Sequence, residues 1–337
     1  MRLRLFYRKP YPTAFSIERL FDQLAATFAE KGVEVERLVL PHYNNTLTNV
    51  RANSEWAGTQ VQRTPGNPPA VNHITGDVTS IVGALPYPTV ITIHDCNPLL
   101  RYPKWHPRYW FYRWMIYERP ARRAAAVTVI SEKTRQEVLA LTSIPADKLH
   151  VIPNFLDPAF EFVQKPFDDE RPTILQIGVK PNKNISGLAE ALRGLACRLE
   201  IIGEPSAADL EILRSHHIDF HYASGLSDEE VRQRYRSCDL LAFVSTYEGF
   251  GLPILEAQAT GRPVVTSDLS PHREVAGPGG ARLVDPYDPA AIRAGILDIL
   301  QDEALRTNLI ERGRANAADY HIGSVADRYL ALYSSLL

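Results

Sequence analysis

Two glutamates, Glu248 and Glu256, stand with seven residues between them around a turn that contains Gly249 and Gly251. An apolar run before the turn predicts a buried strand, and Pro253 suits the first turn of a following helix. A helix that begins where a strand stops presents unpaired backbone N–H groups, which favour an anion such as a diphosphate. Because glycine has no Cβ, a ligand can come close to the backbone, and the carboxylates can accept hydrogen bonds from hydroxyl groups.

The whole stretch 245–257 resembles the signature of two glutamates separated by seven residues in retaining glycosyltransferases of the GT-B fold, in particular glycosyltransferase family 4, the group 1 glycosyltransferases. The segments 259–265 and 273–277 strengthen the resemblance. Two glycines alone would instead favour an ordinary strand, turn and helix with two unrelated carboxylates. The resemblance implies transfer of a sugar from a nucleotide-diphosphate sugar to an acceptor hydroxyl, with retention of anomeric configuration and without a metal or other cofactor.

The resemblance also implies a role for each residue of the turn. Glu256 is expected to bind the ribose hydroxyls of the donor, and Glu248 to bind a hydroxyl of the donor sugar as part of the catalytic site. Further donor contacts are expected from four consecutive residues, Gly249, Phe250, Gly251 and Leu252.

A second turn into a helix, 178–184, carries the dipeptide Lys183-Asn184, which is similar to a Lys-Asn pair of the family. The resemblance implies that Lys183 contacts the donor diphosphate and stabilises charge on the leaving group. Lys180 is expected to make a weaker donor contact. The family commonly has an arginine where this chain has Asn182, and a lysine in a turn is otherwise usually just solvated.

His94 follows a predicted strand, at the end where α/β enzymes place groups that face a ligand. The family carries a histidine at the matching place, close to the donor sugar, so the resemblance adds His94 to the catalytic residues. The alternative is a structural histidine held by hydrogen bonds. Asp95 is expected to cap or orient its neighbours.

The first loop departs from the family, which normally has paired glycines there. Residues 8–16 of this chain, which form the corresponding loop, contain no glycine. Arg8, Lys9 and the helix start at Ser16 are alternative phosphate contacts. An ordinary solvated loop is equally compatible with these residues. The stretch 44–69 is rich in Asn, Thr, Gly and Pro and is predicted to be a loop or flap.

Residues 101–123 are unusual in composition, with seven basic residues against Glu118 and hence a net charge of +6, interleaved with aromatic residues. Helical spacing predicts that Trp110, Trp114 and Tyr117 share one face. One hypothesis is a patch that binds an anionic membrane surface. The alternative is a core helix whose arginines either extend their charged ends to solvent or pair with acidic residues elsewhere.

Alternating apolar strands and helices predict an α/β fold with two Rossmann-like doubly wound parallel sheets, which the GT-B resemblance places face to face across a crevice. Strands are predicted near 3–7, 33–40, 71–74, 90–93, 126–130 and 150–152, and again near 173–178, 198–203, 239–244, 264–267 and 281–284. The predicted division is an acceptor-side domain at 1–162, a linker at 163–172, a nucleotide-sugar domain at 173–318 and a returning helix at 319–337.

The 337 residues have a net charge of −2 and are 45% hydrophobic, as in soluble globular proteins, so no attraction to nucleic acid is expected. The three scattered cysteines argue against a disulfide framework or zinc site. The first residues are too charged for a signal peptide, and no apolar run is long enough to span a bilayer. A cytoplasmic protein is therefore expected, with peripheral contact at the inner membrane face as an alternative.

The expected partners are a nucleotide-sugar donor and a glycan or lipid-linked acceptor of bacterial polysaccharide or glycoconjugate synthesis. Two other functions fit the same motifs. A nucleotide-sugar epimerase of the same fold would act without an acceptor, and a non-catalytic module would bind the sugar nucleotide without turnover. Incubation with nucleotide sugars and an acceptor separates the three.

Overall fold

The computed structural model describes residues 1–10, 16–43, 46–61, 69–86 and 88–337. Two compact units divide the chain: unit 1 comprises Met1–Phe155 with Ile322–Leu337, and unit 2 comprises Leu156–His321. Each unit holds a six-stranded parallel sheet, which confirms the predicted α/β class with two Rossmann-like domains. The division falls at 155/156 and 321/322, whereas the sequence placed it at 162/163 and 318/319.

Unit 1 is built on a sheet with the strand order β2-β1-β3-β4-β5-β6. Its strands are β1 (Arg2–Tyr7), β2 (Glu34–Val39), β3 (Ala70–Ile74), β4 (Thr89–Ile93), β5 (Ala126–Val129) and β6 (Leu149–Val151). Its first helices are α1 (Ser16–Glu30), α2 (Leu47–Gln60), α3 (Asn97–Leu100), α4 (Pro107–Tyr112), α5 (Arg119–Arg123) and α6 (Glu132–Leu141), with 3-10 turns at Thr79–Ala84 and Ala146–Lys148. Because β1 lies between β2 and β3, the strand order reverses there, and ligands of α/β proteins bind at such a point.

The central strands of unit 1 are buried on both faces, as a parallel sheet between helices requires. One face carries Phe6, Ile74 and Ile91, which pack in the cluster that includes residues of α2. The opposite face carries Leu5 and Val71, which pack in the cluster that includes residues of α1. Two separate hydrophobic cores, one on each face of the sheet, therefore fix the strands, whose carboxyl ends lie along one edge.

The helix α2 lies within the stretch that was predicted to be a loop at 44–69, so that prediction is wrong for residues 47–60. Thr46 caps the helix, because its side chain accepts a hydrogen bond from the backbone N–H of Asn49 at 3.2 Å. The buried Asn53 amide bonds both the N–H and the carbonyl of His42, at 3.1 and 3.0 Å. These tertiary bonds stabilise a helix that its polar composition conceals. Residues 62–68 lie outside the described part of the chain.

The aromatic segment 101–123 is not one regular helix. Between α4 and α5 the backbone forms a π-helical turn at Arg113–Glu118. Because π-helical bonds join residues i and i+5, the turn is wider than an α-helical turn and shifts the helical phase. Tyr117 is consequently buried, whereas Trp110 and Trp114 are exposed, so the prediction that the three share one face is wrong.

Unit 2 repeats the pattern with the strand order β12-β11-β10-β7-β8-β9. Its strands are β7 (Thr173–Ile177), β8 (Arg198–Ile202), β9 (Asp219–Ala223), β10 (Leu240–Phe243), β11 (Val264–Ser267) and β12 (Arg282–Val284). Its helices are α7 (Ile185–Leu192), α8 (Ala207–Ser215), α9 (Asp228–Ser237), α10 (Leu252–Thr260), α11 (His272–Ala276), α12 (Pro289–Gln301) and α13 (Glu303–Ala318). The strand β9 was not predicted, because it is a mostly exposed edge strand without an apolar run. The order reverses between β7 and β10, which are neighbours although 62 residues of chain lie between them.

The segment 163–172, predicted to be a linker, is bonded within unit 2. The carboxylate of the buried Asp239 pairs with Lys165 and accepts hydrogen bonds from the backbone N–H of Asp168 at 3.1 Å and of Thr173 at 2.8 Å. Asp239 thus anchors the start of β7.

The last helix, α14 (Ile322–Ser335), belongs to unit 1 and packs on α1. Its Tyr333 hydroxyl lies 2.6 Å from Nδ1 of His73, and the other ring nitrogen of His73 lies 2.7 Å from Oγ1 of Thr92. Thr92 in turn contacts Thr128 at 2.7 Å. A fully buried polar chain therefore joins α14 to three strands of the sheet. Burial lowers the pKa of His73 to about 3, so this imidazole is neutral.

Candidate active site

The turn between β10 and α10 holds the paired glutamates and presents backbone N–H groups. Gly251 is the N-cap of α10 and has φ 114°, a conformation that glycine adopts without strain. A Cβ at this position would approach Ile254 Cδ1 to 3.3 Å. The first turn of α10 has no side-chain cap, and across the described residues the N–H groups of Phe250, Gly251 and Leu252 find no acceptor. This helix start is therefore open to an anion.

The Phe250 side chain does not face the open helix start. It is buried and packs edge to face against Tyr320, with ring centroids 5.9 Å apart. At this position the main chain, and not the side chain, is accessible at the helix start.

The Lys183 turn follows β7 and ends at Asn184, which has φ 58°. Asparagine tolerates this left-handed conformation better than most residues. The Asn184 amide also donates to the carbonyls of Val244, at 3.2 Å, and Pro286, at 2.7 Å. The aliphatic stem of Lys183 lies against Gly178, where a Cβ would be only 2.9 Å from Lys183 Cε. The local sequence thus fixes the direction of the lysine side chain.

Lys183 and Glu248 meet at the point where the strand order reverses. Lys183 Nζ lies 2.7 Å from Glu248 Oε1. The Asn182 amide donates to the same oxygen at 3.2 Å and to the Tyr247 carbonyl at 2.8 Å. Residues 65 positions apart meet because β7 and β10 are adjacent and parallel. The structure therefore brings together two of the predicted site residues and adds Asn182 to them.

The ion pair is largely withdrawn from solvent, with 15% of the Lys183 and 16% of the Glu248 side chain exposed. Lys183 Nζ also lies 4.5 Å from the centroid of the Phe243 ring, a cation–π contact. In this arrangement Glu248 neutralises the lysine that is expected to contact phosphate. An incoming dianion can compete for the ammonium group.

Glu256 lies on α10 and is held by a second element. The hydroxyl of the fully buried Tyr235, on α9, donates to Glu256 Oε2 at 2.5 Å. Burial and the neighbouring carboxylate raise the pKa of Tyr235 well above its ordinary value. Tyr235 therefore stays protonated, and it fixes one oxygen of Glu256.

Lys180 lies apart from this cluster. Its side chain is exposed and makes no hydrogen bond or ion pair with any residue that the structure describes. The weaker donor contact predicted for Lys180 stays a prediction.

His94 belongs to unit 1, where it follows β4. Its Nε2 lies 2.8 Å from the carbonyl oxygen of Thr75. Because a carbonyl only accepts, Nε2 carries the proton and Nδ1 of the neutral ring is an acceptor. Burial lowers the pKa of His94, and the Thr75 hydrogen bond and the Asp95 charge offset only part of this effect. The expected role of Asp95 as a local cap agrees with its hydrogen bond from the Asn97 N–H at 2.9 Å.

Arg8, a candidate phosphate contact of the first loop, is neutralised within unit 1. Its guanidinium lies 2.6 Å from the carboxylate of the buried Glu18 and 3.7 Å from that of Asp77. Lys9 lies over the Tyr43 ring at 5.0 Å. Residues 11–15 of this loop lie outside the described part of the chain.

Comparison with known proteins gives this arrangement a family. The profile described as "Glycosyl transferases group 1" matches residues 158–316, and the profile described as "Glycosyltransferase Family 4" matches residues 17–160. The chain belongs to the group 1 glycosyltransferases of the family 4 type. The enzyme is thus a glycosyltransferase, as the turn at 245–257 indicated.

The glycosyltransferase is similar to curated relatives over about three quarters of its length. It is 27% identical over 278 residues to MMP alpha-(1->4)-mannosyltransferase from Mycolicibacterium hassiacum, covering 76% of this chain and 67% of the relative. It is 30% identical over 254 residues to O-antigen chain mannosyltransferase B from Escherichia coli, covering 68% and 66%. The chain thus spans about two thirds of these relatives, and it covers 34% of the serotype-specific mannosyltransferase WbdA from Escherichia coli.

Solved structures confirm the fold of the glycosyltransferase. Sucrose-phosphate synthase from Thermosynechococcus elongatus superposes with a TM-score of 0.81 at 17% identity, covering 99% of this chain and 98% of that one. Anabaena HepE in complex with UDP and glucose gives 0.75 at 16% identity over the full length of both chains. At this identity the likeness shows the GT-B fold, with its two Rossmann-like domains.

Three residues of the glycosyltransferase site were missed or undervalued in the sequence. Asn182 was noted only as a replacement for an arginine. Tyr235 lies on α9, which begins with a capping box at Ser227, but its partner Glu256 is 21 residues away. Gln176 supports the lysine turn by donating to the Lys183 carbonyl at 3.2 Å. A buried polar residue in an apolar strand was the one signal available for Gln176.

The remaining sequence expectations concern metals, cysteines and the membrane. Among the described residues, no group of three or more His, Cys, Asp or Glu side chains is arranged to hold a metal ion. All three cysteines are free and buried, and burial raises the pKa of Cys197 to about 11 and of Cys238 to about 12. None of the described helices combines the length and the apolar character needed to cross a bilayer.

Proposed function

We propose that this glycosyltransferase is a metal-independent, retaining enzyme that moves a sugar from a nucleotide-diphosphate sugar to a hydroxyl of a glycan or glycolipid acceptor. The observation that carries the proposal is the Lys183–Glu248 pair, 2.7 Å apart, beside a helix start with open N–H groups. This arrangement combines a cation and helix-end N–H groups for a diphosphate with a carboxylate for a hydroxyl.

The donor diphosphate is proposed to lie at the start of α10, where it accepts hydrogen bonds from the backbone of Phe250, Gly251 and Leu252. Lys183 then shifts from Glu248 to the diphosphate. Glu248, released from the lysine, accepts a hydrogen bond from a hydroxyl of the donor sugar. Each charged group thus exchanges one hydrogen-bond partner for another, and neither is left without a partner.

The ribose of the donor is proposed to bind Glu256. Its Oε2 accepts the Tyr235 hydroxyl. A carboxylate held in this orientation can accept hydrogen bonds from the ribose hydroxyls. Tyr235 is in this scheme a positioning residue rather than a catalytic one.

In the transfer step the bond between the anomeric carbon and the diphosphate breaks, and the acceptor oxygen bonds to the anomeric carbon on the same face. The acceptor proton moves to the departing phosphate. Lys183 and the start of α10 stabilise the negative charge that grows on that phosphate. The neutral His94 is proposed to accept a hydrogen bond from the donor sugar at Nδ1, which is a positioning contact and requires no proton transfer.

The relatives narrow the substrates to be tested. Two relatives named mannosyltransferases, one of them for O-antigen chains, favour a hexose such as mannose and an acceptor of bacterial polysaccharide or glycoconjugate synthesis. A peripheral location at the inner face of a membrane is part of the proposal, because such acceptors include lipid-linked glycans.

The test is incubation with a panel of nucleotide-diphosphate sugars and lipid-linked or oligosaccharide acceptors, in the presence and absence of EDTA. Transfer that EDTA leaves unchanged, with product of the donor's anomeric configuration by NMR, is expected. Release of an epimer without acceptor would favour the epimerase. Donor binding without any product would favour a non-catalytic module. Inverted product would overturn retention, and loss of activity with EDTA would overturn metal independence.

A further inference from the structure

The surface of unit 1 exposes an unusual group of aromatic side chains. The chain has four tryptophans, and three of them, Trp105, Trp110 and Trp114, are 81%, 54% and 43% exposed. Phe111 and Leu100 are also about half exposed. We call the exposed side chains of residues 100–123 the aromatic–basic surface. A contiguous patch of large exposed apolar side chains often marks a binding site, whereas single exposed apolar residues are common on protein surfaces.

The same surface carries positive charge that the protein does not neutralise. Glu118, the only acidic residue in 101–123, pairs with Arg113 at 2.7 Å and accepts the Ser143 N–H at 2.8 Å. Throughout the described chain, no carboxylate lies within ion-pair distance of the other six basic residues of the segment, which are Arg101, Lys104, Arg108, Arg119, Arg122 and Arg123. These six residues therefore do not form the ion pairs that the core-helix alternative allowed.

Direct contacts join the exposed rings and cations into one surface. The Trp110 indole N–H donates to the Lys104 carbonyl at 2.8 Å, which places the 104–105 turn beside that ring. The Arg113 guanidinium lies 5.0 Å from the Trp110 ring centroid, and that of Arg122 lies 5.0 Å from the Trp114 ring centroid. Aromatic faces and cations thus alternate over neighbouring positions.

Two buried tyrosines lie behind this surface. Tyr109 is buried and donates to the Leu141 carbonyl at 3.2 Å, while Tyr117 is buried and donates to the Asp95 carbonyl at 3.1 Å. The π-helical turn between α4 and α5 directs Tyr117 inward while Trp110 and Trp114 stay exposed. The tryptophans are therefore not needed by the core of unit 1.

We propose that the aromatic–basic surface binds the surface of an anionic lipid bilayer. Indole rings are favoured at the membrane–water interface, where the apolar ring meets acyl chains and the N–H stays with polar groups. Unpaired arginines and lysine are attracted to anionic head groups. A protein partner would have to supply both a carboxylate for each of six cations and apolar cover for the rings, whereas a bilayer presents both over any area. The proposal deepens the peripheral location given above, but its test requires neither donor nor acceptor, so the two can fail separately.

The test is flotation of the full chain with vesicles of about one third phosphatidylglycerol in phosphatidylcholine and with vesicles of phosphatidylcholine alone. Binding to the anionic vesicles is expected at about 0.05 M salt, and strong weakening is expected at about 0.5 M salt because screening shortens the reach of the charges. The intrinsic fluorescence should shift to shorter wavelength on binding, because three of the four tryptophans enter a less polar medium.

The variant Lys104→Gln with Arg122→Gln should weaken partition onto anionic vesicles about 25-fold, since each basic residue near such a surface contributes about fivefold. The matched control, Arg51→Gln with Arg193→Gln, removes two exposed basic residues elsewhere and should leave partition unchanged. Trp105→Ser should lower partition without changing the thermal unfolding temperature, because this indole is almost fully exposed.

Three results would overturn the proposal. The first is no flotation with anionic vesicles at low salt, and the second is equal binding to neutral vesicles. The third is dimerisation in solution that Trp105→Ser abolishes, which would assign the surface to a second copy of the chain.

Discussion

The carboxyl edges of the two sheets differ in how their charged groups are partnered. In unit 2, Lys183 and Glu248 pair beside a helix start whose N–H groups are open. In unit 1, Arg8 is closed off by Glu18 at 2.6 Å, and His94 is held by a main-chain carbonyl. The two sheets have the same architecture but differ at this edge. In unit 2 the lysine can leave its glutamate to bind an anion, whereas unit 1 presents a neutral imidazole.

This difference indicates where binding energy and selectivity arise. A charged pair beside open N–H groups can release its lysine to a diphosphate, so unit 2 should dominate donor affinity and catalysis. A neutral acceptor nitrogen such as Nδ1 of His94 can orient a sugar hydroxyl but contributes the energy of a single hydrogen bond.

The largest effect is expected at Glu256. Glu256→Ala should lower kcat/KM with the preferred donor about 10²-fold, because it removes the carboxylate that Tyr235 orients toward the ribose. The measurement is the initial rate of transfer at several donor concentrations. Glu211→Ala, on the exposed side of α8, is the control and should be unchanged. Wild-type turnover in the Glu256 variant would remove this residue from the donor site.

Lys183→Ala should also lower activity about 10²-fold, since the departing diphosphate loses its cation and Glu248 is left as an unpaired, largely buried charge. Lys180→Ala should lower activity far less, because the Lys180 side chain is exposed and makes no hydrogen bond or ion pair with the described residues. The comparison is made on kcat and on donor KM for both variants. Equal losses of activity in the Lys183 and Lys180 variants would show that the contact between Lys183 and Glu248, at 2.7 Å, has no special role in the reaction.

Unit 1 should lose stability in acid because of its buried imidazole. The pKa of His73 is about 3 in the folded protein, against 6.5 for an unperturbed histidine. Between these values the unfolded chain binds the proton and the folded one does not, so the free energy of unfolding falls as pH falls below 6.5. The slope for this one group reaches about 1.4 kcal/mol per pH unit, or about 2 kcal/mol between pH 6.5 and 5.

Tryptophan fluorescence during urea unfolding measures how the free energy of unfolding of unit 1 depends on pH. All four tryptophans lie there, at 56, 105, 110 and 114. The difference in stability between the wild type and His73→Gln should shrink from pH 7 to pH 5. If that variant does not fold, NMR of the wild type decides the matter, since a His73 ring that titrates near pH 6.5 would contradict the prediction.

A smaller effect is expected from His94. His94→Gln should lower kcat/KM about tenfold, the value of one hydrogen bond to the sugar. Because burial lowers the pKa of His94, the wild-type rate should not show a histidine titration between pH 7 and 8. The check is the pH profile of kcat/KM for both proteins. A basic limb near pH 7 that disappears in the variant would assign His94 to proton transfer instead.

The smallest effect is expected from Tyr235→Phe, which removes the hydroxyl that donates to Glu256 at 2.5 Å. Donor KM should rise about fivefold with kcat little changed, because the carboxylate remains but its orientation is lost. Tyr235→Ala would also empty a buried site, so only the phenylalanine variant separates positioning from packing. An unchanged KM in Tyr235→Phe would sink the positioning role.

The sequence also predicted the residues at the carboxyl edge of the unit 2 sheet better than those at the corresponding edge in unit 1. In unit 2 the residues proposed to do the chemistry lie in or just after two short loops whose local signals are strong: glycines, a helix-starting proline and a Lys-Asn turn. The sequence therefore located Glu248, Glu256 and Lys183 before the structure placed two of them in contact. In unit 1 the relevant partners of His94 and Arg8 are Thr75 and Glu18, which carry no motif and are reached only through the fold.

The errors have the same origin. The helix at 47–60 was predicted to be a loop because its residues are polar, and tertiary bonds from Asn53 supply what its composition lacks. The edge strand β9 has no apolar run to reveal it. The prediction that Trp110, Trp114 and Tyr117 share one face assumed the period of an α-helix, and the π-helical turn changes that period. For the helix and for β9, hydrogen bonds to other segments of the chain stabilise an element that its own composition does not indicate.

The sequence by itself determined the α/β class, the strands and turns that carry the site, and the kind of chemistry their residues allow, because periodicity, glycine and proline act over a few neighbouring residues. Only the tertiary structure decided which side chains share a partner: Lys183 with Glu248 across the β7–β10 pair, Tyr235 with Glu256, and Arg8 with Glu18. The physical reason is that strand order determines which loops become neighbours, and strand order depends on the packing of the whole unit.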